Sequence, residues 1–563
     1  MISEVEIKNF RSIKHLTIKT ESLCGLIGPN STGKTNVLKA LNIILGDIYP
    51  TERAFTRDDF HRRDTSKEIQ ITVGFSAPLE AERLSVFRSS TKDWCECVSM
   101  TLTYSLGEGG ASTTFTCVGK CGQQFYCNGA VREKVCFIYV PSERTLEKQL
   151  SVSKWTLLGK MLAKVDACFR KDEALVSEFE SAMKAPQEIL ERDFDSSLSY
   201  FKFKEVLLQR VANNTQGHAD GCELNLEIFD PLWFYKAIQI TTMEGGERYN
   251  VDEIGSGMQN LILLSLFQAY ADLMKDKAVL AIEEPELFLF PQAQRELFRE
   301  FFSIVRQGGQ VFYTTHSPRF VNVAKSENIV LLRKREGETI KLNRGDINLF
   351  LSENDKNEIH LLTKFDAEVN ELFFANKILL VEGYTEKTAI KRVLNKLDPS
   401  LRKYNYCVVN ATGKTFIPFF IKLLKCLGHA DYLAIYDTDL APSKSSQALD
   451  IAQKHTQKIL DEVEDSELNC FAFNYDFESH CGYTVPNDGE KLMEAIKWTE
   501  SVAIESIPAD FKKMLDFIRD EGDYARHTGV EGIEIIIIEE TLPDNSCDAI
   551  APLILTADES EEL

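Results

Sequence analysis

Residues 22–45 read SLCGLIGPNSTGKTNVLKALNIIL, and this stretch decides the fold of the first half of the chain. Leu23–Ile27 is a short apolar run with the character of a buried strand, and an apolar pattern of helical spacing begins near Asn36. Between them Gly28-Pro29-Asn30-Ser31-Thr32-Gly33-Lys34-Thr35 spells the whole G-x-x-x-x-G-K-T loop. A loop of this kind turns its backbone N–H groups toward phosphates, at the positive end of the helix that follows. Asn30, Ser31 and Gly33 shape the cradle, Lys34 reaches the terminal phosphates, and Thr35 offers its hydroxyl to magnesium. Letters and strand-loop-helix context agree, which separates the motif from a chance glycine loop, and ATP with Mg²⁺ is the expected ligand.

Working outward, 563 residues exceed what one hydrophobic core serves, so about two to four domains are expected. Apolar residues make up 44% and charged residues 27%, as in a globular protein, and no run is apolar enough to cross a membrane. The opening MISEVEIKNF has neither the basic start nor the apolar core of a secretion signal, so a cytoplasmic location is expected. The 14 cysteines are then reduced thiols rather than a disulfide framework. A net charge of -22 excludes a surface that holds nucleic acid by bulk attraction; any DNA contact is local or metal-assisted.

A triphosphatase needs a second acidic strand end, and KAVLAIEEPELFLFP supplies it. Glu283 is expected to hold magnesium, directly or through water, and Glu284 to orient or deprotonate the attacking water. Upstream, Gly255-Ser256-Gly257 opens a long apolar-patterned helix; downstream, the strand GGQVFYTTHSP ends at His316. The helix start at Ser256 and Gly257 is a second phosphate-binding end, free to close over a nucleotide held by a partner subunit. This order of motifs resembles ATP-binding-cassette ATPases, and MISEVEIKNFRSIKHLTI is similar to the first hairpin of RecF, Rad50 and SMC-like heads. The resemblance implies a dimer that sandwiches two ATPs, with His316 as the switch histidine.

The interval from the phosphate loop to the signature is too long for a nucleotide core. Residues 69–140 alternate as an antiparallel meander, with KVCFIYVPSER as its last strand, and 145–210 carry amphipathic helices. We expect 1–144 and 231–345 to form the ATPase, and 145–230 a helical insertion that is a candidate dimerisation element or a cover for the core. The cysteine spacing in the meander approaches that of structural zinc, but no histidine accompanies it, and small buried thiols account for it better.

A helical connector at 346–376 leads to a second α/β unit, expected at 377–545, with an acidic tail at 546–563. ILLVEGYTEKTAI and YLAIYDTDL are apolar runs ending in carboxylates. In a βαβαβ order Glu382, Glu386, Asp437 and Asp439 can converge outside the carboxyl ends of parallel strands; clustered acids repel unless cations or protons compensate them, and their hard oxygens favour Mg²⁺ or Mn²⁺. The pattern VEGYTE…DTD looks like a Toprim domain. Behind a RecF/SMC-like head it resembles the OLD (overcoming lysogenisation defect) family of ATP-dependent DNA endonucleases, which includes the Gabija nuclease subunit and retron-associated effectors. YVPSER, GSGMQN, EEPELFLFP, TTHSP and NATGKT sit where that family has such segments.

The resemblance implies an α/β fold, a cassette-type ATPase head with a helical insertion followed by a Toprim domain. It implies two metal ions held by Glu382, Glu386, Asp437 and Asp439, with Glu478 as a further acid. It also implies double-stranded DNA as substrate, a homodimer or higher homo-oligomer, and a helicase-like subunit or retron components as candidate partners. The family's late lysine before a proline is absent; Lys512, Lys513 and Arg526 are the loose candidates. That departure keeps a second reading open, an ATPase-driven DNA-binding scaffold that does not cut.

Overall fold

The computed structural model describes residues 1–83, 93–142, 157–190, 240–250, 278–321, 328–342, 369–463 and 470–520 apart from isolated positions, with scattered residues in 202–209 and 253–269. The chain opens with the hairpin β1 (Ile2–Phe10) and β2 (Ile13–Lys19), whose inward residues alternate with outward polar ones. β3 (Leu23–Ile27) is buried along its length and feeds the phosphate loop and the helix Lys34–Leu45. β4 (Ile69–Arg83), β5 (Asp93–Gly107), β6 (Gly110–Gly119) and β7 (Gln124–Tyr126) extend the hairpin into one antiparallel sheet of order β2-β1-β4-β5-β6-β7.

β8 (Cys136–Val140) corrects the expectation of a meander through residue 140. It leaves the antiparallel sheet and pairs in parallel with β11 (Ala278–Glu283), beyond the small hairpin β9 (Thr241–Glu244) and β10 (Glu247–Asn250). The physical reason is legible in Cys136-Phe137-Ile138-Tyr139-Val140: a continuous apolar run suits a strand covered on both faces, not one with a wet side. With β12 (Gln310–Thr315), β13 (Ile329–Arg335) and β14 (Glu338–Lys341), the central sheet runs β14-β13-β3-β12-β11-β8, parallel except for β14. One face packs on the helix Lys34–Leu45 and the antiparallel sheet, and the other on the helix Pro291–Arg306.

The second sheet is wholly parallel, β16-β15-β17-β18, built from β15 (Lys377–Val381), β16 (Tyr406–Asn410), β17 (Tyr432–Asp437) and β18 (Cys470–Phe473). The two sheets are not separated by solvent. Ile27, Ile329 and Leu331 of the first belong to one apolar core with Ile378 and Leu380 of the second and Phe420 of the helix Ile417–Cys426 that covers it. Across this core the buried Arg333 on β13 donates to the carbonyls of Phe373 (3.2 Å) and Ala375 (2.8 Å) and to His429 Nε2 (2.9 Å).

The insertion contains the helices Leu157–Phe169 and Glu173–Leu190. Apart from 170–172 and scattered positions in 202–209, the rest of 145–230 lies outside the described residues, as do most of the connector 346–376, Ser256, Arg526 and everything from 521 through the acidic tail. Cys97, Cys117 and Cys127 are buried free thiols, and among the described residues no group of three or more His, Cys, Asp or Glu is arranged to hold a metal ion. No helix among the described residues is long and apolar enough to cross a membrane.

Candidate active sites

The phosphate loop opens onto a cleft of about 630 Å³ lined by Ser12, residues 30–36, Glu284, His316 and Lys334. Lys34 is folded back, its Nζ donating to the carbonyls of Gly28 and Pro29 at 2.8 Å each. Burial pulls its pKa down to about 8 against the pull of Glu284 and Glu286, and a terminal phosphate would offer the charge that those two carbonyls lack. Gly28 has φ 149°, and a Cβ there would lie 2.1 Å from the Leu332 carbonyl, so β13 presses directly on the loop.

The acids of the strand end divide their tasks. Glu283, at the end of β11, is buried; its carboxylate accepts from Tyr139 Oη (2.7 Å) and Ser142 N (3.1 Å) beside the cleft. Glu284 reaches the cleft through a left-handed backbone, φ 43°, with its N–H tied to the Thr314 carbonyl at 2.9 Å. His316 Nε2 stands 3.9 Å from Glu284 Oε1. Burial and the nearby Lys34 lower His316 to about 4, so at neutral pH it is an uncharged donor or acceptor. Sequence reasoning missed Glu286, whose Oε1 accepts from Thr315 Oγ1 (2.8 Å), His316 N (2.6 Å) and Ser317 N (3.1 Å) and so sets the turn that presents the histidine. The run EEPE carried that signal. Gly257 is helical but does not line this cleft.

In the second domain Glu382 follows β15 directly, and its Oε1 accepts from Asp437 N at 2.8 Å, joining neighbouring strand ends. Glu386 lies on the first turn of the helix Tyr384–Leu397. Gly383 leaves room for it: a Cβ at that position would meet Glu386 Oε2 at 2.8 Å. Asp437 ends β17, and Asp439, with φ 59°, turns beyond it. Glu478 is buried on the short helix Phe477–Cys481, capped by Asp476, and its charge acts on both Glu386 and Asp437. Burial, then the mutual repulsion of these acids, pushes Asp437 well up; burial pushes Glu382 up to about 7 and raises Glu386.

Three lysines meet the acids. Lys414, buried after β16, donates to the Asp437 and Thr438 carbonyls and lies 3.3 Å from Asp439 Oδ2. Lys444 is 2.8 Å from Asp439 Oδ1, and Lys491 is 3.7 Å from Glu478. Burial raises Asp439, but Lys444 and Lys414 outweigh it and hold this carboxylate below its usual value. Lys513 pairs with Asp510 at 3.0 Å instead. None of the three is legible from the sequence: Lys414 reaches residues 437–439 from the end of another strand, while Lys444 and Lys491 follow their acids across loops whose course carries no periodic signal.

Among the described residues no three of these acids already surround a common point, but two of their oxygens suit a hard divalent ion. Asp437 Oδ1 and Glu386 Oε2 are buried with no hydrogen-bond partner, beside Glu382. Buried anionic oxygens in this state are stabilised by a hard cation.

Fold and sites together define an ATPase domain continued into a Toprim domain. The chain belongs to the family described as AAA ATPase domain, which matches residues 1–107 and 122–321. Residues 373–439, which hold four of the acids, match the overcoming lysogenization defect protein-like TOPRIM domain. The chain is 26% identical to the OLD nuclease of Thermus scotoductus over 453 residues, 78% of this chain and 83% of that protein. It is 22% identical to Endonuclease GajA of Bacillus cereus over 463 residues, 79% of this chain and 76% of the relative. A solved Smc head bound to the C-winged helix domain of ScpA aligns with 60% of this chain and 97% of its own, at 12% identity and a TM-score of 0.37. An AAA ATPase domain and a TOPRIM domain together imply use of a nucleotide and a divalent metal.

Proposed function

We propose that this chain is an ATP-regulated, divalent-metal-dependent endonuclease acting on double-stranded DNA, with Mg²⁺, or Mn²⁺ in its place, at the Toprim acids. The observation that carries the reading is the pair of buried, unpartnered oxygens on Asp437 and Glu386 beside Glu382, in a chain that also holds a phosphate loop. Bound there, a divalent ion supplies Lewis-acid stabilisation of the phosphodiester and lowers the pKa of an attacking water. Glu382, Glu386, Asp437 and Glu478 orient it, while Lys414, Lys444 and Lys491 offset acid charge that would otherwise repel a phosphate backbone.

At the other site Lys34 and the loop residues Asn30, Ser31, Gly33 and Thr35 bind ATP. Glu284 holds the attacking water, Glu283 serves the magnesium from its post on Tyr139 and Ser142, and His316 meets the terminal phosphate. Ser256 and Gly257 act on the nucleotide of a second copy, so the working form is a homodimer or a larger homo-oligomer. Antiphage defence is the setting we favour, with a helicase-like subunit or retron components as candidate partners; a neighbouring helicase or reverse-transcriptase gene would mark it.

The test is nicking and linearisation of plasmid by wild type, Glu382→Ala and Lys34→Ala, each with and without ATP, in Mg²⁺, Mn²⁺ or EDTA. Cutting should require metal and vanish in Glu382→Ala. One observation favours a non-cutting scaffold: Asp439 is already engaged by two lysines. Absence of cutting under every metal and nucleotide condition would select that reading.

A further inference from the structure

We propose that the Toprim site takes one divalent ion, on its Glu382, Glu386 and Asp437 side, and that Lys414 and Lys444 occupy the Asp439 side as cations carried by the protein. The inference rests on the metal-dependent reading above and deepens it. The two sides of the site differ in kind. On one, Asp437 Oδ1 and Glu386 Oε2 are buried without a partner, and Glu382 has spent only one oxygen, on the Asp437 N–H. On the other, each carboxylate oxygen of Asp439 has its own ammonium, Lys444 Nζ at 2.8 Å from Oδ1 and Lys414 Nζ at 3.3 Å from Oδ2.

The lysine side is built rather than incidental. Lys414 is buried and also donates to the Asp437 and Thr438 carbonyls, so one ammonium spans the whole turn from 437 to 439. Asp439 is held in that turn by its own N–H, which donates to the Tyr475 carbonyl at 2.7 Å. A second divalent ion on Asp439 would have to displace two ammonium groups and sit close to them, at a cost in like-charge repulsion that the first ion does not meet. The neutralising charge on that side is already present, and removing it is what would create a second metal position.

Binding of Mn²⁺ to the nucleotide-free, full-length protein tests this, read by the electron paramagnetic resonance of free Mn²⁺ and by calorimetric stoichiometry. One ion per chain is expected. Asp437→Asn should lose it, Asp439→Asn should retain it within about twofold in affinity, and the double variant Lys414→Met with Lys444→Met should gain a second. Two ions in the wild type, or loss of the ion in an Asp439→Asn protein that melts like wild type, would overturn the proposal and leave the nuclease reading standing. No bound ion in wild type would sink both.

Discussion

At the scale of single residues, Lys34 and Glu284 are expected to separate binding from hydrolysis. Lys34→Ala removes the charge nearest the terminal phosphates, so ATP affinity should fall on the order of 100-fold by equilibrium binding. Glu284→Gln keeps the shape of the cleft and should bind ATP near normally, with phosphate release down at least ~100-fold; equal turnover would assign the water to another residue. Gly383→Ala places a methyl where Glu386 Oε2 now lies, and a ligand pushed aside in this way should weaken Mn²⁺ binding by roughly 10-fold. Glu382 adds a pH dependence. Burial raises its pKa to about 7, so protons compete with the ion below that value, and Mn²⁺ affinity should rise as pH climbs through about 7, with proton release seen by calorimetry in buffers of different ionisation enthalpy. Glu382 and Asp437 are legible in sequence because each ends an apolar run, and the other acids lie within a few residues of such an end. Lys414 was not legible as their partner, because its contact with residues 437–439 depends on which strand lies beside which.

At the scale of elements, β13 touches both halves of the molecule. Its backbone pairs with β3 and its Leu332 carbonyl walls the phosphate loop, Lys334 lines the nucleotide cleft, and Arg333 turns the other way into the Toprim core. Gly28→Ala should therefore cost at least about 1–3 kcal/mol through backbone strain, with the clash against Leu332 added, and lower the melting temperature even without nucleotide. Arg333→Ala strips the Phe373 and Ala375 carbonyls of their donor and should cost about 3 kcal/mol by denaturant unfolding. The phosphate-loop strand and the β15–β17 pairing followed from apolar runs with clear ends. β8 was placed in the wrong sheet because an apolar run of five residues carries no period, and only the distant β11, 138 or more positions away in sequence, decides its neighbour.

At the scale of the whole molecule, the role proposed for Ser256 and Gly257 on a neighbour's nucleotide requires two copies, and light scattering across a concentration series should give a dimer or more; a monomer with and without ATP would remove both residues from the mechanism. The core shared by β3, β13, β15 and β16 sets a different limit, on what can be recombined. ATPase and nuclease modules are often imagined as interchangeable cassettes joined by a tether. Here the seam is itself a packed interior, with a guanidinium whose acceptors all belong to the other half. A chimera that grafts this head onto an unrelated nuclease inherits a stranded cation and an uncovered apolar face. Viable crossovers must carry β13 and the segment from Val369 to Ala375 together, so that the two halves pass through descent, or through a design cycle, as a single heritable block.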